Sequence, residues 1–156
     1  MSLIWLAFFE DEYKEQVKEL EKHSIAHFYG FQSDPRPFYI EADCVVLPSY
    51  HEGMSNVLLE AAATGRPVIT SNIPGCRESV ENGKSGLLVE VKNKEMLYDA
   101  MKEMLHCSRE EREQMGQAGR EKMEREFRKE VVVEKTVQSL REDEKKRLFS
   151  KTKGEM

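Results

Sequence analysis

Short apolar runs alternate with amphipathic stretches along the first two thirds of the chain. Runs typical of β-strands cover residues 3–9, 25–29, 43–47, 67–71 and 86–91. The stretches between them suit helices, at residues 13–20, 35–42, 56–64 and 75–81. Strands that alternate with helices in this way predict an α/β fold, with a parallel sheet and helices on both of its faces.

The last third of the chain is predicted to be helical. An apolar stripe at helical spacing is formed by Leu97, Ala100, Met101, Met104 and Leu105. Ser108 with Glu111 three residues later is a capping box, which opens the next helix. A last amphipathic segment ends at Leu140, beyond which the chain is charged and aperiodic. We therefore expect one domain over residues 1–140 and a charged tail, frayed or disordered, over residues 141–156.

Composition and charge exclude several classes of protein. The formal net charge of −5 does not favour a nucleic-acid-binding surface, and no apolar run is long enough to cross a membrane. The odd number and wide spacing of Cys44, Cys76 and Cys107 argue against disulfides and against a zinc site. We expect inert or buried thiols, no bound metal and a cytoplasmic protein. Peripheral placement at the inner face of the membrane stays open.

The polar chemistry concentrates in one stretch, PSYHEGMSNVLLEAAATG at residues 48–65. The stretch follows the third predicted strand, so it lies at the carboxyl edge of the sheet, where open parallel sheets bind ligands. Ser55 suits the cap of the next helix, whose dipole favours an anion there, and Gly53 leaves backbone room for a ligand. We predict an anion or polyol site beside residues 52–56, with Glu52 facing it from the loop.

Glu60 is the one charged side chain in a predicted helix that is otherwise apolar or small. Burying an ionised carboxylate without partners is costly, so we expect a specific partner for it. The residues alone leave two alternatives open. The partner is either a ligand or a structural group such as Arg66 or Arg77.

Further motifs accompany the two glutamates in a fixed order. They are FYGF at 28–31, the link Thr64-Gly65-Arg66-Pro67-Val68, the Pro74-Gly75 turn with Glu78, and the segment Gly83 to Leu88. Over roughly residues 25–140 this order resembles the C-terminal, nucleotide-sugar-binding half of the family 4 (group 1) glycosyltransferases. Those enzymes have the GT-B fold, in which two Rossmann-like domains face a cleft. The resemblance implies a Rossmann-like parallel sheet with extra C-terminal helices.

The resemblance also implies a role for each site residue. Glu52 would act at the catalytic centre and hold hydroxyl groups of the donor sugar. Four residues would lie against the sugar and the diphosphate after it: Gly53, Met54, Ser55 and Asn56. Glu60 would bind the ribose hydroxyls, while Gly30 and Phe31 would border the base. No metal is implied.

The implied function is that of the donor-binding half of a retaining glycosyltransferase. Such an enzyme transfers a hexose or N-acetylhexosamine from a nucleoside-diphosphate sugar, here expected to be a UDP-sugar, to a glycan or lipid-linked acceptor. Cell-surface polysaccharide synthesis is the expected setting. The acceptor-binding N-terminal domain and the basic residues that clamp the diphosphate have no counterpart in this sequence. We therefore expect the chain alone to be inactive, with an exposed cleft face that could form a homodimer.

Two other functions stay open at this point. The first is a stand-alone nucleotide- or sugar-binding module without catalysis. The second is a hydrolase in which Glu52 and Glu60 form an acid/base pair, which requires carboxyl groups about 5–9.5 Å apart across one bond. His51 adjoins Glu52 and is interpreted as a loop residue rather than a catalyst.

Overall fold

The structure, a computed structural model, describes residues 3–5 and 13–152 and contains two compact units, Met1–Glu41 and Ala42–Met156. In the first unit, β1 (Leu3–Trp5) pairs in parallel with β2 (Ala26–Phe28). Two helices, α1 (Lys14–Lys22) and α2 (Arg36–Glu41), complete this unit. The strand predicted over 3–9 is confirmed for 3–5, and the rest of it lies outside the described residues.

The second unit holds the rest of the α/β pattern. Its elements are β3 (Val45–Leu47), α3 (Asn56–Ala63), β4 (Val68–Ser71), β5 (Gly86–Val89), α4 (Lys94–His106), α5 (Arg109–Glu126) and α6 (Lys129–Thr152). The strands form a parallel sheet in the order β3-β4-β5, with Val45 opposite Val68 and Val68 opposite Gly86. The predicted α/β fold with parallel strands is therefore confirmed.

The core of the second unit lies around the central strand, because every residue of β4 is buried. Successive side chains of a strand point to opposite faces. On one face Ile69 packs with Leu87 and Val89, and with Ala100 and Met104 from the apolar stripe of α4. The helix α3 packs against β3 and β4. The predicted stripe is thus confirmed from Leu97 to Met104, whereas Leu105, which was predicted to belong to it, is 54% exposed.

Small residues let α5 approach α3 closely. A Cβ atom added at Gly116 would overlap the carbonyl oxygen of Gly65, and one added at Gly119 would lie 3.6 Å from the Cβ of Ala62. We call this contact the α3–α5 seam, formed by Ala62, Gly65, Gly116 and Gly119. It ties α5 to the end of α3 and so supports the helix that carries Glu60.

Local interactions determine where α5 begins and where the turn at Arg77–Ser79 ends. The predicted capping box opens α5: the Ser108 hydroxyl accepts from the Glu111 amide at 3.2 Å, and the Glu111 carboxylate accepts from the Ser108 amide at 2.7 Å. The helix predicted over 75–81 is only a 3₁₀ turn at Arg77–Ser79. Val80 takes an extended conformation after that turn, which ends it.

The helix α6 runs on to Thr152, where the sequence analysis expects a frayed or disordered tail over 141–156. Helical structure therefore continues through 141–152 without a break at the expected boundary. Whether 1–140 is the natural extent of the domain stays a prediction. None of the helices in the described part of the chain is both long enough and apolar enough to cross a membrane.

Candidate functional site at the carboxyl edge of the second sheet

The loop that follows β3 carries most of the predicted site. It runs from Pro48 to Ser55, and Glu52, Gly53 and Met54 are all exposed on it. At the start of the loop the Ser49 hydroxyl donates to the carbonyl oxygen of His51 at 3.1 Å. We call residues 52–55 the donor loop, after the donor sugar that the resemblance predicts there. Its exposed carboxylate and backbone are open to a ligand from solvent.

The donor loop leads directly into the start of α3. Ser55 has the extended backbone of an N-cap residue, as predicted, and is buried. In the described structure, however, its hydroxyl makes no capping bond to the helix. The first backbone bond of the helix runs from the Leu59 amide to the Ser55 carbonyl. The amides of the first turn therefore keep their donors directed outward, and the positive end of the helix dipole faces the donor loop.

A second loop, after β4, lies against the donor loop. Gly75 has a φ of +87°, and a Cβ atom there would overlap the carbonyl oxygen of Gly53 and lie 2.7 Å from that of Glu52. The carbonyl oxygen of Gly75 accepts from the Ser55 amide at 3.3 Å. The Gly75 amide in turn donates to the Glu78 carboxylate at 2.7 Å. Only glycine suits this position, because it combines a positive φ with close backbone contact.

Buried polar groups join the two loops to the sheet beneath them. The Thr70 hydroxyl, at the end of β4, donates to the carbonyl oxygen of Leu47 at the end of β3, at 2.8 Å. The Ser79 hydroxyl donates to the carbonyl oxygen of Cys76 at 2.5 Å. The pKa of the fully buried Cys76 thiol is raised, mainly by burial and further by the charges of Glu52 and Glu78.

Glu60 is exposed, so the prediction that its carboxylate is buried is wrong. Burial is predicted for Glu60 because its neighbours in the helix are apolar or small. The helix buries only one side, formed by Leu58, Ala61 and Ala62. Glu60 lies on the other side, so no burial penalty demands a partner for it. Arg77, one of the structural partners considered, lies 3.8 Å from Glu78.

Glu60 lines a groove between α3 and the end of α5. The groove has a volume of about 370 Å³ and is lined by Leu59, Glu60, Ala63, Arg120, Met123, Glu124, Phe127 and Arg128. Glu52, which the structure also describes, is not among the residues that line this groove. The two glutamates therefore do not flank one small pocket, which disfavours the hydrolase alternative. The α5 side of the groove was not predicted from the sequence, although the residues that form it recur at helical spacing.

Gly30 and Phe31 lie in the first unit, directly after β2. Gly30 has a positive φ of +64°, and the ring of Phe31 is 70% exposed. Beside them, the rings of Tyr29 and Phe38 meet edge to face with centroids 5.0 Å apart. A role at the base stays a prediction for Gly30 and Phe31.

Two of the thiols are chemically quiet, as the sequence analysis expects. Burial raises the pKa of the Cys44 thiol to about 12, and it raises the pKa of Cys76 as well. Both thiols stay protonated at neutral pH and are poor nucleophiles. Within residues 3–5 and 13–152, no cluster of three His, Cys, Asp or Glu side chains is arranged to hold a metal ion.

The second unit therefore has the features of an α/β ligand-binding domain. At the carboxyl edge of its parallel sheet lie the start of a helix and two loops in close backbone contact. Residues 9–122 match the family described as glycosyl transferases, group 1. The chain belongs to this family, and its fold is that of the GT-B glycosyltransferases.

Two curated relatives are biosynthetic glycosyltransferases of bacteria. The capsular polysaccharide biosynthesis glycosyltransferase CapM of Staphylococcus aureus is 33% identical over 102 residues, which are 65% of this chain and 27% of CapM. The lipopolysaccharide core biosynthesis glycosyltransferase LpsE of Rhizobium meliloti is 30% identical over 130 residues, 83% of this chain and 38% of LpsE. The chain thus spans between 27% and 38% of the length of these relatives.

Solved structures share the same fold. A sucrose-phosphate synthase from Thermosynechococcus elongatus superposes with a TM-score of 0.71 at 26% identity, over 90% of this chain and 37% of the synthase. HepE from Anabaena, solved in complex with UDP, superposes with a TM-score of 0.75 at 19% identity. That superposition covers 91% of this chain and 41% of HepE. At this low identity the likeness to HepE concerns the fold alone.

Proposed function

We propose that this chain is the donor-binding half of a retaining glycosyltransferase, and that its donor is a UDP-sugar. One observation carries the proposal. In the described structure the exposed donor loop leads into the start of α3, where the Ser55 side chain makes no capping bond, and the exposed Glu60 lies further along the same helix. A nucleoside-diphosphate sugar offers groups that match each part. It carries a hydroxyl-rich sugar, two phosphates and a ribose diol.

The diphosphate is proposed to bind at the start of α3. The amides of the first helical turn and the positive end of the helix dipole favour an anion at that end. When the glycosidic bond to the donor breaks, negative charge grows on the departing diphosphate. Donors that are already oriented towards that charge stabilise the transition state more than the ground state, which accelerates the reaction. The backbone of Ser55 and Asn56 would supply them.

Glu52 is proposed to hold the donor sugar. Its carboxylate accepts hydrogen bonds, so it can bind sugar hydroxyls and fix the orientation of the anomeric carbon. Gly53 and Met54 are exposed beside it, and they would lie against the same sugar. In this role Glu52 acts on the substrate through hydrogen bonds and charge.

Glu60 is proposed to bind the ribose. A carboxylate can accept both hydrogen bonds of a diol, and Glu60 projects from the exposed side of α3 next to a groove of about 370 Å³. Gly30 and Phe31 are proposed to border the base, since an exposed aromatic ring suits stacking on a base.

The acceptor is proposed to be a glycan or a lipid-linked glycan, and the transferred sugar a hexose or N-acetylhexosamine. The names of CapM and LpsE, which refer to capsular polysaccharide and lipopolysaccharide core synthesis, support this class of acceptor. The acceptor would bind to a part of the longer enzymes that this chain does not match. We propose that this chain alone is inactive in transfer and that it acts in the cytoplasm. We also propose that it pairs as a homodimer through its cleft face.

Ligand-observed NMR on this chain tests the donor site. The probes are UDP, GDP and ADP together with UDP-glucose, each recorded with the wild type, with Glu60→Ala and with Glu103→Ala as an exposed control on α4. We expect saturation transfer to UDP and UDP-glucose in the wild type and the control. Loss of the ribose contacts should weaken binding about ten-fold in Glu60→Ala, because a carboxylate–diol pair is a charge-assisted hydrogen bond.

Two results would contradict the proposal. One is saturation transfer that is equal in the wild type and Glu60→Ala, which would place the nucleotide elsewhere. The other is silence for every probe with a folded sample. Because Glu60 is exposed, Glu60→Ala should unfold at the same temperature as the wild type, so that lost binding cannot be ascribed to lost fold.

A further inference from the structure

We propose that Glu78 is a positioning residue that holds the donor loop in place through Gly75. This inference rests on the proposed function for its consequence, namely donor binding. Its structural part stands on contacts within the second unit. Glu78 itself does not belong to the donor loop or to α3, and it is needed only as a hydrogen-bond acceptor.

The first contact fixes the turn. The Glu78 carboxylate accepts from the Gly75 amide at 2.7 Å, within the loop that follows β4. A bond to a carboxylate is stronger than one between neutral groups. It holds Gly75 in a left-handed conformation, with a φ of +87°. The second oxygen of Glu78 lies 3.8 Å from the Arg77 guanidinium, which is too long for a hydrogen bond.

The second contact transmits the position of the turn to the donor loop. The carbonyl oxygen of Gly75 accepts from the Ser55 amide at 3.3 Å. On its other side, the Cα of Gly75 packs so closely against the backbone of Gly53 that a Cβ atom there would overlap the Gly53 carbonyl oxygen. Gly75 therefore contacts the donor loop at two points, Gly53 and Ser55. A shift of Gly75 must move Gly53, Ser55 or both.

The position of Ser55 matters because its own hydroxyl does not cap α3 in the described structure. The backbone bond to Gly75 therefore restrains the point where the donor loop becomes the helix. By holding this junction, Glu78 keeps the helix amides and the Glu52 carboxylate in a fixed relative position. Preorganised groups bind a ligand at a lower entropic cost than mobile ones.

Amide hydrogen exchange on the ligand-free chain tests the structural part directly. In Glu78→Ala we expect the Gly75 and Ser55 amides to exchange roughly ten-fold faster, since each lost hydrogen bond is a small free-energy change. In Glu78→Gln the side-chain carbonyl oxygen can still accept from Gly75, so exchange should stay within about two-fold of the wild type. Glu103→Ala is the matched control for removal of an exposed glutamate.

Titration with UDP-glucose then tests the consequence. We expect Glu78→Ala to bind roughly ten-fold more weakly, because the donor loop must be ordered on binding, and Glu78→Gln to bind as the wild type does. A purely structural role in folding would instead lower the unfolding midpoint and speed exchange throughout β4. For Glu78→Ala we therefore expect faster exchange at Gly75 and Ser55 only, with an unchanged unfolding midpoint.

The outcomes separate this inference from the proposed function. Unchanged exchange at Gly75 and Ser55 in Glu78→Ala overturns the positioning role, whether or not the chain binds UDP-glucose. Equal acceleration in Glu78→Gln overturns the role as a hydrogen-bond acceptor. Faster exchange without any loss of UDP-glucose affinity overturns the link to donor binding. If the wild type binds no nucleotide, the proposed function fails, while the exchange rates still decide whether Glu78 holds the loop. Should Glu78→Ala fail to fold, Glu78→Asp decides in its place, with faster exchange expected because its carboxylate is one methylene shorter.

Discussion

Gly75 and Gly116 meet the same steric condition in two different regions of the molecule. At each of them, a Cβ atom would overlap a backbone carbonyl oxygen, that of Gly53 at Gly75 and that of Gly65 at Gly116. Gly116 lies in the buried α3–α5 seam, where it brings two helices together. Gly75 lies at the carboxyl edge of the sheet, where it brings two loops together and carries a positive φ of +87°.

The two glycines have different roles: Gly116 allows two helices to pack, and Gly75 shapes the candidate site. At the seam the neighbours are small and largely buried, and the contact stabilises the fold. At the sheet edge the neighbours are exposed polar groups, Glu52 and Glu78, and the contact shapes a surface that a ligand can reach. Substitutions at the seam should therefore change stability, and substitutions at the edge should change donor binding.

The largest expected effect is that of Gly116→Ala at the seam. Because the added methyl group must displace the backbone of Gly65 or push α5 away, we expect a loss of about 3 kcal/mol in the free energy of unfolding. Urea unfolding measures it, with Gln114→Ala on the exposed side of α5 as control. A loss below about 0.5 kcal/mol would mean that the helices are not in close contact there.

Gly75→Ala should have a smaller effect on stability and a larger one on binding. The substitution imposes a positive φ on alanine and a clash with Gly53, which the exposed donor loop can relieve by moving. We expect a loss of about 1–2 kcal/mol in unfolding free energy, together with loss of detectable UDP-glucose binding. Retained affinity would show that the donor site does not depend on this contact.

The smallest expected effect concerns the charged pair beside the seam. The Lys122 ammonium is mostly buried and donates to the Glu126 carboxylate at 2.7 Å. Lys122, and to a smaller extent the Arg125 guanidinium that donates to the same carboxylate, hold the pKa of Glu126 below its ordinary value. The stabilisation is present above the unfolded pKa of about 4.5 and is lost as the pH falls through the lower folded value. We expect Glu126→Gln to cost about 1 kcal/mol at pH 7 and to weaken the loss of stability in acid.

Glu124→Gln is the matched control for that pair. Glu124 pairs with Arg120 at 3.3 Å on the exposed side of α5. An exposed pair of this kind contributes little to stability. Equal pH dependence in Glu126→Gln and the wild type would contradict the stabilising role of the Lys122–Glu126 pair.

Much of the fold is predictable because the signals are local. The apolar stripe of α4 and the capping box at Ser108 each need only a few neighbouring residues. The capping box is present as predicted, and the stripe is present except for the exposed Leu105. The exposure of Glu60 is not local. It depends on which side of α3 faces the sheet and α5, and sequence composition around Glu60 suggests burial. The α3–α5 seam was missed for the same reason, since Gly65 and Gly116 are far apart in the chain.

The candidate site shows the same division. The position of the donor loop after a strand and of Ser55 at the N-cap follow from the order of motifs along the chain. The contact between Gly75 and Gly53 does not, because it joins two loops through backbone atoms alone. A glycine at 75 with an acidic residue at 78 marks a turn in the sequence, but it does not reveal what the turn touches.

The most direct test of the central claim is a ¹⁵N-resolved NMR titration of this chain with UDP-glucose. If the carboxyl edge of the second sheet is a donor site, amide shifts should concentrate at residues 52–60 and at Gly75, and Glu60→Ala should reduce them. Shifts of Gly119 and its neighbours in the seam should stay small. Shifts that cluster away from residues 52–60, or a folded chain with no shifts at millimolar UDP-glucose, would contradict the assignment of the donor site.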